Sequence, residues 1–178
     1  MSTLKEPKPV RLFTAVIYKP GSDLSGCIEA LEGELGAADF ESGELPFEGT
    51  SYYESEMGPV LKRKIITFKN LVARERIREI KIFTNSLEKV FSYNDKRTIN
   101  IDPGYIAQEH VILATGKGFA HRPYLGKGVY ADLTLVYRGD QFRTLEWTYP
   151  DYADTEMRAL FQRLRTEYVE TLGPDCPQ

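Results

Sequence analysis

Between positions 10 and 101 the apolar residues switch repeatedly between extended and helical spacing, and that succession restricts the chain to a mixed layout. Val10 to Tyr18 is a short β-rich run stopped by Pro20-Gly21, and it reads as a buried strand. Leu24, Cys27, Ile28, Leu31 and Leu35 then recur on one helical face. Ser22 or Asp23 can cap that helix, and Gly36 ends it. Residues 38 to 69 look extended, with strands expected over Ala38–Leu45, Thr50–Met57 and Leu61–Lys69 and turns at Gly49 and Gly58-Pro59. Asn70 is the expected cap of a second helix to about Phe91, striped by Ile77, Ile80, Thr84, Leu87 and Phe91, with a charged outer face. Thr98–Ile101 is a further strand, ended by Asp102-Pro103-Gly104. The succession is the β-α-β-β-α-β order of a ferredoxin-like core over about 10–101, with 46–60 as an elaboration.

Beyond that core the sequence adds antiparallel strands and a C-terminal helix, so the expected class is α+β. Val111–Thr115 suits a strand or a helix end. Val129–Tyr137 alternates, Arg138-Gly139-Asp140 sits where a hairpin turn belongs, and Phe142–Tyr149 returns. Met157, Leu160, Phe161, Leu164, Tyr168 and Leu172 stripe a last helix from about Asp154, closed by Gly173-Pro174. The 178 residues carry no repeat and no linker, which makes 1–178 a single domain with loose tails at 1–9 and 173–178. The two cysteines, Cys27 and Cys176, make neither a metal framework nor a disulfide scaffold. No 18-residue apolar stretch and no signal-peptide pattern is present, so a cytoplasmic protein without a membrane span is expected. A net charge of −3 argues against nucleic acid as a partner. The oligomeric state is not legible.

The chemistry concentrates from Asn100 to Tyr152. Asp102 and Tyr105, His110, Gly116-Lys117-Gly118, His121-Arg122, Tyr124 and Gly126-Lys127-Gly128 interleave polar side chains with glycine. Such segments make poor core and usual binding loops. Lys117, Lys127 and Arg122 suit a phosphate or carboxylate, and His121 beside Arg122 can act as acid or base. Trp147 and Tyr149 can floor a pocket or stack on a ligand. If Thr50–Met57 is a strand, Glu54 and Glu56 share a face. They then either pair with Lys62 and Lys64 on the next strand or hold Mg²⁺. Neither Gly-Lys-Gly has the spacing of a phosphate-binding P-loop, and no Ser-His-Asp, H-E-x-x-H or C-x-x-C pattern occurs.

Three blocks carry a resemblance. Asn100-x-Asp102-Pro103-Gly104-Tyr105, His121-Arg122-x-Tyr124-Leu125-Gly126-x-Gly128-x-Tyr130-Ala131 and Trp147-Thr148-Tyr149-Pro150-Asp151-Tyr152 resemble the signatures of a bacterial family known only as a domain of unknown function. Phe47-x-x-Thr50-x-Tyr52-Tyr53-x-x-Glu56-Met57-Gly58 resembles its N-terminal block. The resemblance implies a small stand-alone bacterial protein and brings no activity. Some relatives carry a GTP-binding label. Asn94-Asp95-Lys96 is not the base-recognition pattern that label requires.

Two readings follow. One is a small-molecule site, catalytic or not, for a phosphorylated or nucleotide-like anion. Arg122, Lys117 and Lys127 would hold the anion, Asp102 with Glu54 and Glu56 a metal, and the aromatics the ligand body. The other is a non-catalytic module that uses the same aromatic-basic surface to bind a protein or an RNA.

Overall fold

A computed structural model describes residues 3–47, 53–94 and 96–173 of the chain. The elements run β1 (Val10–Tyr18), α1 (Leu24–Leu35), β2 (Ala38–Glu41), β3 (Leu45–Phe47), α2 (Glu54–Met57), β4 (Leu61–Val72) and α3 (Ile77–Val90). They continue with β5 (Ser92–Tyr93), β6 (Lys96–Arg97), β7 (Ile99–Ile106), β8 (His110–Thr115), β9 (Tyr124–Gly126), β10 (Val129–Arg138), β11 (Gln141–Arg143), α4 (Pro150–Ala153) and α5 (Thr155–Thr171). The class is α+β.

Strand β1 is buried at every position, which requires cover on both faces of its sheet. Val10, Leu12, Val16 and Tyr18 pack with Cys27 and Leu31 of α1 and Ile80 and Leu87 of α3. Phe13 and Ala15 pack on the opposite face, with Phe161 and Leu164 of α5. Helices therefore lie on both sides of one sheet, whose strands run β11-β10-β8-β7-β1-β4-β2, with β3 also on β4 and β9 also on β10. Every pairing is antiparallel. Among the described residues no helix is long and apolar enough to cross a membrane.

Local chemistry explains most boundaries. Asp23 caps α1 by accepting from the Gly26 N–H at 3.0 Å. Asp154 caps α5 by accepting from the N–H groups of Glu156 and Met157. Gly139 and Asp140 both have positive φ, as a two-residue hairpin turn between β10 and β11 needs.

Other boundaries correct the sequence reading. Asn70 does not cap a helix: β4 runs on to Val72, and a 3₁₀ turn at Arg74–Arg76 leads into α3. The Asn70 amide instead lies against Gly36, where a Cβ would come within 2.4 Å of it. The expected strand Ala38–Leu45 is broken into β2 and the start of β3, which follow each other end to end along one edge of β4. Of the expected strand Thr50–Met57, residues 50–52 lie outside the described residues, and Glu54–Met57 is a helical turn. Phe142–Tyr149 is a strand only as far as Arg143.

Asp102-Pro103-Gly104 does not end a strand either, because β7 continues through it to Ile106. Glycine is required there. A Cβ on Gly104 would lie 2.5 Å from the Ile112 carbonyl oxygen and 2.5 Å from the Phe13 ring, which meets Phe161 edge-on at 4.9 Å. Gly104→Ala is expected to lower stability by about 2–3 kcal/mol through overpacking. A urea midpoint equal to that of the parent would show that the contact yields freely.

Candidate functional site

The site begins where the sheet comes apart. The β7–β8 ladder pairs only Gly104–Ile106 with Val111–Leu113. The hairpin is closed by the Ala107 N–H on the His110 carbonyl at 2.9 Å. Alternation then aims the backbone groups of Tyr105, Pro103 and Ile101 at the β8 side of the strand. Pro103 has no N–H to give, and the ladder stops there. Strand β8 stays with β10 as far as Thr115 opposite Tyr130. The abandoned edge of β7 is met by side chains of α3. The Ile101 N–H donates to Glu88 Oε1 at 2.8 Å, and its carbonyl accepts from Lys81 Nζ at 3.2 Å. Over this parting lies a cavity of about 530 Å³, within the size range of small-molecule sites.

A chain of charges lines its α3 side. Lys81 and Glu88 are each 5% exposed, unusual burial for ionised side chains. Arg97 grips Glu56 with Nε and Nη2, at 2.9 and 2.7 Å, and reaches Glu88 and the Asn100 carboxamide oxygen with Nη1. Asn100 donates to Asp102 Oδ2 at 2.8 Å, and Lys81 lies 3.3 Å from Asp102 Oδ1. The hydrogen bonds from Arg97 hold the Glu56 carboxyl below the usual carboxylate range. Burial pushes Glu88 above it, against the pull of Lys81, the Ile101 N–H and Arg97.

The opposite wall is built on Asp132 of β10, which is 1% exposed. Its Oδ2 accepts from Arg122 Nε at 2.7 Å and lies 3.4 Å from His121 Nε2, while Oδ1 accepts from Thr134. The His121 ring stacks on Trp147, 4.7 Å between centroids and 9° from parallel. Residues 144–149 are delivered here because β10 has spare carbonyls beyond β11. Trp147 Nε1 donates to the Leu133 carbonyl at 2.8 Å, and Thr148 Oγ1 to that of Thr134 at 2.7 Å. Tyr149 through Tyr152 thereby reach the cavity, where Arg122 Nη2 donates to the Tyr149 hydroxyl. Burial raises the Tyr149 phenol, and it raises that of Tyr152 well above its ordinary range.

The sequence-named residues divide accordingly. Asp102, Lys117 and Tyr149 line the cavity. His121, Arg122 and Trp147 stand behind the wall and fix Asp132 and Tyr149. Tyr105 lies on the opposite sheet face, in the core with α1 and α3, with its hydroxyl 3.5 Å from His110. Tyr124 and Lys127 belong to the β9–β10 turn: the Tyr124 hydroxyl accepts from the Gly128 N–H, and Lys127 is exposed with positive φ. That turn lies by Arg78, which donates to the Leu125 carbonyl. The two Gly-Lys-Gly loops therefore serve different places, and only the first touches the cavity.

Glu56 is committed to Arg97, and the side chain of Glu54 lies outside the described residues. Lys62 and Lys64 pair with Glu44 and Glu41 instead. Among the described residues no group of three or more His, Cys, Asp or Glu is arranged to hold a metal ion. Cys27 is a buried free thiol, pushed up to about 12 first by burial. Cys176 lies outside the described residues.

Sequence reasoning passed over Arg63, Lys81, Glu88, Arg97 and Asp132, and it held Tyr152 only as a member of the aromatic cluster that ends the Asn100–Tyr152 stretch. A signal existed for several. Lys81 and Glu88 occupy helical positions four after the buried Ile77 and Thr84. Arg63 falls in register with the buried Leu61 and Ile65 of β4.

Fold and cavity together define an α+β domain with a charged pocket over a parted sheet. The model of a family described as a domain of unknown function, DUF4416, matches residues 8–168, and the chain belongs to that family. No curated protein and no solved structure matches it.

Glu88 both caps the open edge of β7 and answers Arg97. Glu88→Ala leaves the Ile101 N–H without an acceptor and Arg97 with one fewer, and is expected to cost about 3 kcal/mol in chemical unfolding. Glu88→Gln keeps an acceptor for the Ile101 N–H and should cost less than half as much. Equal losses for the two variants would remove that hydrogen bond from the account.

Proposed function

We propose that this chain binds a small polar ligand bearing an anionic group, phosphorylated or nucleotide-like, in the cavity over the parted sheet. The observation that carries the reading is the composition of the wall. A space of about 530 Å³ is bounded by Arg63, Lys81, Arg97 and Lys117 and by Glu88, Asp102, Asp132 and Asp151. Keeping so many charges at the edge of a core adds little stability, because apolar residues of the same volume would stabilise as well or better, and their retention there supports a use. Convergent polar groups in a concave, partly apolar site are the ordinary form of a ligand pocket. Phe47, Tyr53, Tyr149 and Tyr152 supply ring surface against which the body of a ligand can pack.

Lys117 lines the cavity, which supports the anion-holding part the sequence suggests for it. Asp102 lines it as the partner of Lys81 and Asn100 rather than as a metal ligand. Arg122 has a different part, since its donors go to Asp132, the Lys117 carbonyl and Tyr149. Its task is to hold the wall in shape, and His121 joins it there. The reading is one of binding, and no bond-making step is assigned.

A second reading has its own support. Phe119, Trp147 and Tyr149 are 69%, 37% and 39% exposed around His121, forming an aromatic face beside the cavity that suits a protein partner. Phe119→Ala separates the two readings: it should leave small-molecule binding unchanged and weaken only a protein contact.

Thermal unfolding against mononucleotides and sugar phosphates, with and without Mg²⁺, tests the first reading. A ligand at a hundred times its Kd adds about 2.7 kcal/mol, a rise on the order of 5–10 °C for a chain of this size. At least one compound is expected to reach it, and Lys117→Ala to reduce it. Silence across the whole panel would count against the cavity as a site for such ligands.

A further inference from the structure

The charged groups on the cavity wall are largely answered by other protein groups. Glu88, Asp102 and Asp132 each accept from at least two donors, and Arg97 gives hydrogen bonds to Glu56, Glu88 and Asn100. Arg63 and Tyr152 differ. Arg63 is 4% exposed, and among the described residues its guanidinium meets one acceptor, Asp151, through Nη1. Its Nε is buried with no partner. Tyr152 is also 4% exposed, and its hydroxyl is buried with no partner. The two are neighbours. The Arg63 guanidinium carbon lies 5.6 Å from the centre of the Tyr152 ring and 5.4 Å from that of Phe47, so two rings hold the cation in place. A buried donor without an acceptor opposes folding, and such groups in a native protein call for an explanation.

We propose that Arg63 and Tyr152 form the seat for one oxyanion group of the ligand, a carboxylate or a phosphate monoester. The inference rests on the cavity reading and names its anchor. The Nε and Nη2 edge of a guanidinium presents two parallel N–H donors, the geometry of bidentate oxyanion recognition. The Tyr152 hydroxyl, carried by a ring that the guanidinium lies over, is the other open donor of the pair. Charge sets the upper limit. Four cations on the wall face four carboxylates, which leaves no positive surplus for a polyphosphate. Asp151 already takes one corner of Arg63, so a second oxyanion must share the cation. A singly seated group satisfies the open donors, whereas a triphosphate brings charge that nothing on this wall offsets.

The test follows thermal unfolding of the full chain, Arg63→Lys and Tyr152→Phe in sodium acetate, phosphate and chloride at equal ionic strength, and then with AMP and ATP. Tyr152→Phe removes only an unpartnered hydroxyl, so its melting temperature in chloride should match or exceed that of the parent. The parent is expected to melt higher in acetate or phosphate than in chloride, and higher with AMP than with ATP. Both variants should lose most of that rise, and calorimetry should show the stabilising anion bound about tenfold more weakly by Tyr152→Phe. A rise in phosphate alone identifies a phosphate monoester seat, and a rise in acetate alone a carboxylate seat. A rise that both variants keep in full overturns the seat and places the anion elsewhere on the wall. No rise with acetate, phosphate or AMP also overturns it, while a compound whose effect Lys117→Ala reduces would still uphold the cavity.

Discussion

The parting of β7 from β8 at Pro103 is the feature on which the rest of the site depends. A proline within a sheet removes one donor from the ladder, and here the loss falls on the edge facing β8. Past that point two strands that would otherwise continue side by side diverge, and the backbone of Ile101 needs other partners. Glu88 and Lys81 provide them from the next layer. The acid and base on α3, seven residues apart and so two turns along one face, answer the pair together.

Once those two charges are buried, the others follow. Glu88 requires a cation, which Arg97 supplies from the β5–β6 ribbon, and Arg97 requires a second anion, which is Glu56 of α2. Lys81 requires an anion, which is Asp102. Across the cavity Asp132 is answered by Arg122, and the loop carrying Trp147 and Thr148 is tied to spare carbonyls of β10. The network thus joins α2, α3, the ribbon and the long loop to the central strands. Paired charges in low dielectric hold their geometry strongly, although they add little net stability over an apolar core. The result is a rigid polar wall, the condition for selective recognition.

How legible this was in the sequence varied with the physics of each element. Helices α1 and α5 were readable because a 3.6-residue stripe and a side-chain cap agree within the segment itself. Strand β10 was only half readable. A bulge between Leu133 and Leu135 turns Leu135 toward α5 after Ala131 and Leu133 have faced α1 and α3, so an unbroken alternation hid a change of face. Pro103 read as a strand end because a proline in a central strand is tolerated only where its neighbour has moved away, a fact of tertiary structure. The candidate cavity was legible as a neighbourhood rather than as a set of groups. Glycine-rich polar loops announce themselves, whereas Arg63, Lys81 and Glu88 sit inside regular elements where a charge looks like a solvated face. Their role depends on which strands part and which helix lies over the gap, and neither is local to the chain.

If the parted sheet encloses a ligand site anchored at Arg63, that site should admit a free oxyanion. Diffraction from crystals soaked in tungstate, a heavy tetrahedral oxyanion, tests it most directly. An anomalous peak is expected inside the cavity, within hydrogen-bonding distance of Arg63 Nε and the Tyr152 hydroxyl. An ordered tungstate confined to the outer surface, with the cavity holding only water or closed by wall side chains, would contradict it.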